Sequence, residues 1–189
     1  IAAPSANRFG SLSPTTAAHA LGQLKNGPDI ILDGGRARIG VESTVLAFRN
    51  GKFHILRHGG LPREEIERVT GPLGFASKKG ARPVSPGQLA SHYSPSARLF
   101  LLGKTKARLK KGLSYGYLSF SKKPSLKVLT VVLSPSGDLK EAAANLFSHL
   151  HELDAAGVDI ILAEPVPKRG LGLAIMDRLR RAARGKDKE

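Results

Sequence analysis

Four short stretches of this chain carry side chains suited to holding an anion. Pro4-Ser5-Ala6-Asn7 offers a hydroxyl and a carboxamide, and Ser13-Pro14-Thr15-Thr16 offers three hydroxyls. Gly40-Val41-Glu42-Ser43-Thr44-Val45 places two hydroxyls behind a glycine, and Ile55-Leu56-Arg57-His58-Gly59-Gly60 ends on a guanidinium beside paired glycines. Proline fixes the approach to Ser5, while Asn7 can hold a left-handed turn or point its amide at a ligand. Ser13, Thr15 and Thr16 stand at a helix start, where free N–H groups and the helix dipole favour negative charge. Ser43 and Thr44 follow Gly40 closely enough for backbone and hydroxyl donors to converge on a phosphate or carboxylate. Arg57 can clamp phosphate oxygens with its two-pronged fork. Three of the stretches also have a plainer reading: a turn at Pro4–Asn7, helix capping at Ser13–Thr16, and a surface ion pair of Arg57 with Glu64 or Glu65. In order along one chain, they form the donor set an anionic nucleotide needs.

Other chemistries are argued against by what stands at the decisive positions. Gly103-Lys104-Thr105 imitates the end of a phosphate-binding P-loop, but Arg98 occupies the place where that motif requires its first glycine. The six histidines show no metal spacing: His54 and His58 fall in one strand, and His149 and His151 fall on different faces of one helix. There is no cysteine to act as nucleophile or thiolate ligand, and no serine lies in a nucleophile-elbow pattern. The site residues are therefore binders and positioners rather than a catalytic triad.

The elements that must position them follow from periodicity. Ser13-Pro14 reads as a helix start, with Ser13 as cap, followed by Ala17, Ala20, Leu21 and Leu24 at helical spacing and a stop at Gly27. Asp29–Asp33 reads as a short apolar strand. Ser43–Phe48 and Phe53–His58 alternate as strands around Asn50-Gly51, a strong hairpin signal. Pro62 opens a charged helix through Val69. Residues 75–96 are rich in Gly, Pro, Ser and Lys without either period and read as an extended linker. Beyond them, Leu99–Leu102, Tyr115–Phe120, Val128–Leu133 and Val158–Ala163 read as strands, and Leu139–Leu153 and Leu171–Ala183 as helices. Lys104–Lys111 is a further helix candidate. Strands alternating with helices predict a small α/β sheet.

Composition bounds the rest. The chain has 189 residues, a hydrophobic share of 41%, and Lys+Arg 30 against Asp+Glu 15, a formal charge of +15. That is enough apolar content for a core, and an excess of positive charge that attracts polyanions. With few aromatics, a base-stacking platform has little to build on. No apolar run has bilayer length, and the lack of cysteine fits a cytoplasmic protein with no membrane partner. Ile1 stands where an initiator methionine would, so the chain reads as the back portion of a longer protein.

Ala3–Asn7, Ser13-Pro14-Thr15, Gly40–Val45 and Leu56–Gly59, taken in order, resemble the second half of the YrdC-type domain. Ser85-Pro86-Gly87 and His92-Tyr93-Ser94-Pro95 resemble the linker of its longer, Sua-type members. Gly170–Leu179 resembles the last helix of their additional C-terminal domain. The resemblance implies an α/β fold: the C-terminal half of a YrdC-type catalytic domain over 1–74, a linker over 75–96 that closes the site, and a small Rossmann-like α/β accessory domain over 97–189. It implies synthesis of threonylcarbamoyl-adenylate from L-threonine, bicarbonate and ATP, with Mg2+ accompanying the nucleotide, for modification of adenosine 37 in tRNA. The downstream partner would be the tRNA threonylcarbamoyl-transfer machinery, and direct tRNA contact is left open. By the same resemblance Asn7, Thr15 (with Ser13 as rival), Arg57 and Tyr93 would meet ATP, and Ser5 and Ser43 would meet threonine. No residue would act as nucleophile or metal ligand. The family's first half is absent from this sequence, so the isolated chain is expected to be inactive or weak and its first domain poorly folded. The alternative is a non-catalytic basic RNA-binding or regulatory module.

Overall fold

A computed structural model describes residues 3–24, 27–75, 93–103 and 109–184. The first elements are a helix α1 (Ala17–Leu24), a hairpin β1 (Val45–Arg49) and β2 (Lys52–Arg57), and a helix α2 (Arg63–Thr70). The hairpin forms where the sequence places it. Asn50 and Gly51 have φ of 51° and 72°, and positive φ at both central residues gives a turn whose twist matches the strands. Val45 pairs with Arg57 and Phe48 with Phe53, with a register shift between Val45 and Leu46. The Phe48 and Phe53 rings lie 4.9 Å apart. A two-residue strand β3 (Gly74–Phe75) then adds to β2 in parallel, so the sheet extends to the point where the linker was expected to begin.

The back of the chain is an α/β layer. Strands β4 (Arg98–Leu101), β5 (Tyr115–Ser119), β6 (Leu129–Val132) and β7 (Ile160–Ala163) form one parallel sheet in the order β4-β7-β5-β6. Two helices, α3 (Leu139–Ala155) and α4 (Gly172–Ala183), pack with it. Asp138 starts α3 by accepting from the Lys140 and Glu141 amides, which satisfies two of the donors a helix N-terminus leaves free. Leu118, Leu146, Leu150, Ile161, Ile175 and Leu179 are almost wholly buried in one cluster. Leu12 and Tyr93 belong to the same cluster, so the front of the chain shares the core of the back.

Three expectations need correction. Asp29–Asp33 is not a strand: Ile30 and Leu32 are 80% and 91% exposed. No described strand pairs with it, and an apolar run without a ladder partner has nothing to hold it extended in a sheet. The helix start moves from Ser13 to Thr16, whose Oγ1 accepts from the His19 amide at 3.2 Å, because the Ser13 hydroxyl is engaged elsewhere. Residues 109–111 are not helical, and 104–108, the rest of that helix candidate, lie outside the described residues. The same holds for residues 76–92 of the linker, including Ser85-Pro86-Gly87 and His92.

Candidate functional site

A cavity of about 380 Å3 opens between the front segment and α3. Ser5, Ser13 and Thr15 line it from one side, Arg38 to Glu42 from another, and Phe147 of α3 closes its floor. Thr15 is buried, with its Oγ1 3.2 Å from His19 Nδ1. The His19 ring stacks on His151 of α3 with centroids 4.0 Å apart, and His151 Nε2 donates to the Ser13 carbonyl at 3.1 Å. Burial pushes both imidazoles below their ordinary pKa, and for His19 the neighbouring His151 adds to the effect. The hydroxyl-bearing turn therefore rests on a helix of the back layer.

The Gly40–Val45 and Ile55–Gly60 stretches are pressed together by their glycines. Gly40 has φ of 73° and faces the backbone of Ala143 and Ala144 so closely that a Cβ would collide with it. A Cβ on Gly59 would strike the backbone of Glu42 and Ser43. The Gly60 amide donates to the Glu42 carbonyl at 2.8 Å. Only glycine permits such approach. Beside this contact Arg57, 9% exposed, donates from Nη2 to the Ser43 carbonyl at 3.0 Å. Glu64, one of its alternative surface partners, instead accepts from the Gly170 amide. Thr44 is occupied structurally, since its Oγ1 donates to the Leu61 carbonyl at 2.6 Å.

Glu42 is the charged centre of the region. Its Oε1 accepts from Ser13 Oγ at 2.7 Å, and its Oε2 accepts from Arg178 Nε and Nη2 at 2.9 and 2.8 Å. Burial works to raise its pKa, but Arg178 and the Ser13 hydroxyl outweigh burial and hold the carboxyl below its ordinary value. Arg178 is 1% exposed. Its Nη1 donates to the His58 carbonyl at 2.7 Å and to Asp177 at 3.0 Å. The guanidinium lies 5.3 Å from the centre of the Tyr93 ring.

The structure thus brings Ser5 and Thr15 to one cavity and joins Arg57 to Ser43 nearby. Asn7 and Tyr93 do not line that cavity. Asn7 Nδ2 donates to the Arg8 carbonyl at 3.0 Å, and its Oδ1 is buried without a partner among the described residues. Tyr93, 1% exposed, packs on Phe147 with centroids 5.5 Å apart, and the following Ser94 amide donates to the Gly10 carbonyl at 2.8 Å. The linker end is in this way anchored beside the Asn7 turn. Glu42 and Arg178 each stood in a quoted motif, but neither was singled out. Their meaning lies in a pairing across 136 positions. Among the described residues no three His, Asp or Glu groups gather as a metal site would require. No helix among them is long and apolar enough to cross a membrane.

The family model described as threonylcarbamoyl-AMP synthase, C-terminal domain, matches residues 61–184. This chain belongs to that family. The Sua5/YciO/YrdC model, described as telomere recombination, matches residues 1–59. The threonylcarbamoyl-AMP synthase of Pyrococcus abyssi is 39% identical over 97% of this chain and 57% of its own length. That of Bacillus subtilis is 38% identical over 98% of this chain and 58% of its own. The crystal structure of P. abyssi Sua5 complexed with L-threonine superposes with a TM-score of 0.83 at 37% identity, over 98% of this chain and 58% of that one. The chain therefore spans somewhat more than half the length of these Sua5 relatives.

Proposed function

We propose that this chain forms part of an L-threonylcarbamoyladenylate synthase acting in the cytoplasm. The observation that carries the reading is the cavity in which Ser5 and Thr15 meet beside Arg38, in a chain whose relatives carry that activity by name. Threonine and bicarbonate condense to an N-carboxy-threonine with loss of water. A carboxylate oxygen of that carbamate attacks the α-phosphorus of ATP, the bond to the bridging oxygen breaks, and pyrophosphate leaves. No protein nucleophile takes part. Rate comes from positioning and from positive charge on the departing phosphates.

In this reading Asn7, Thr15 and Arg57 meet ATP, Ser5 and Ser43 hold threonine, and Tyr93 fixes the linker end against the site. Mg2+ arrives with the nucleotide, bound mainly by its phosphates. Residues 1–74 are the back of the catalytic domain, 75–96 the linker, and 97–189 a Rossmann-like accessory domain. The product passes to the machinery that transfers the threonylcarbamoyl group to tRNA.

Calorimetric titration of ATP and threonine into the full-length protein tests the assignment. Thr15→Val is expected to weaken ATP about fivefold, the worth of one hydrogen bond, with threonine within twofold of the parent. Ser5→Ala is expected to do the reverse. Failure of either ligand to bind the parent, alongside steeply salt-dependent binding of double-stranded RNA, would favour the basic RNA-binding module instead.

A further inference from the structure

We infer that Arg178 is a positioning residue, through which the back layer of the protein sets the geometry of the site. The inference rests on the proposed synthase reading for its catalytic consequence, but not for its structural content. Arg178 sits on α4, in the segment matched to the C-terminal domain. It donates twice to the Glu42 carboxylate and once to the His58 carbonyl. One guanidinium therefore ties together the two glycine-bearing stretches, one residue before Ser43 and one residue after Arg57. The other Glu42 oxygen accepts from Ser13 Oγ, which extends the same chain of bonds to the turn that carries Thr15. Tyr93 lies against the guanidinium, so the end of the linker is fixed by the same group.

Geometry explains why arginine is required. A planar fork with several donors can serve a carboxylate and a carbonyl at once, whereas an ammonium is a point charge on a flexible stem. At 1% exposure, the guanidinium makes these bonds out of contact with bulk solvent. With Arg178 removed, Glu42 would be a part-buried carboxylate with Ser13 as its one remaining side-chain donor among the described residues. Its preferred response, protonation or turning toward water, would carry Ser13 and the Gly40–Thr44 backbone with it.

Arg178→Lys and Glu42→Gln, which keep the charge or the shape, test this in the full-length protein. Leu146→Ala, which opens the same core at a side chain that carries none of the network's polar groups, is the control. Hydrogen exchange gives the first readout. Arg178→Lys and Glu42→Gln are expected to speed exchange at least tenfold across residues 11–16 and 41–44, whereas Leu146→Ala speeds it mainly in α3 and α4. Threonine-dependent pyrophosphate release gives the second. Both network variants should raise a substrate KM or lower kcat by tenfold or more, the double variant should be no worse than the poorer single, and folded Leu146→Ala should stay within twofold. Unchanged exchange at residues 11–16 and 41–44 in both network variants would overturn the inference. Absence of release from the parent would instead strike the synthase reading, and the exchange data would still decide the positioning role.

Discussion

Gly40→Ala should separate backbone strain from steric exclusion at the site. Gly40 holds φ of 73°, and a Cβ there would sit 2.5 Å from Ala144 Cα and 2.6 Å from the Ala144 carbonyl oxygen, with the Ala143 carbonyl oxygen also in collision. A left-handed alanine costs about 1–2 kcal/mol. Overpacking against a helix backbone that cannot rotate aside adds about 1–3 kcal/mol. The less flexible unfolded chain returns about 0.4–1 kcal/mol. The net is a loss of about 1–5 kcal/mol, which at a urea slope of about 2 kcal/mol per M moves the midpoint down by about 0.5–2.5 M. Gly51→Ala is the matched control, with φ of 72° and nothing within 4 Å. It should cost only the strain less the unfolded-state gain, a shift of about 0.8 M or less. Because Gly40 lines the cavity, Gly40→Ala should also weaken ligand binding, which Gly51→Ala should not. Equal midpoints for the two variants would refute the claim that Gly40 is required by close approach to α3.

Two further outcomes follow from the titrating groups. His19, His58, His149 and His151 are all held below the ordinary histidine value, in each case chiefly by burial. The unfolded chain therefore binds protons that the fold refuses. Stability is fully present above about pH 6.5 and falls as pH drops below that value toward the folded pKa values; urea midpoints should decline from pH 7.5 to 5, and His19→Asn/His151→Asn should flatten the decline. Tyr117 is pushed up to about 12 by burial and by its hydrogen bond to Glu164. Ultraviolet titration should show this late phenolate step, and Tyr117→Phe should remove its share of the amplitude, leaving that of Tyr93, which burial also pushes up.

Local chemistry made much of the fold legible. Asn50-Gly51 announced the hairpin, Pro62 the start of α2, and alternating apolar runs the four parallel strands. Asp29–Asp33 misled because a strand is defined by its neighbour, and composition carries no information about whether one is there. Ser13 misled in a related way: its hydroxyl suits a cap, but Glu42 offers a charged acceptor from 29 positions away, and a hydrogen bond to a carboxylate outcompetes one to a helix amide. Ser5, Thr15, Ser43 and Arg57 could be picked out as candidate donors from their residue types, but a turn, a helix cap or an ion pair would use the same residues, so their assignment to ligands rests on the proposed reading. Arg178 could not be picked out, because an arginine in a basic helix looks like a solvated charge until its partner is known.

The most direct test is pyrophosphate release from ATP and bicarbonate, with and without L-threonine, by this chain and by the chain lengthened to the span of its Sua5 relatives. Threonine-dependent release is expected from the lengthened protein, with little or none from the 189 residues alone. Release from the lengthened protein that ignores threonine, or no release at all, would contradict the synthase reading.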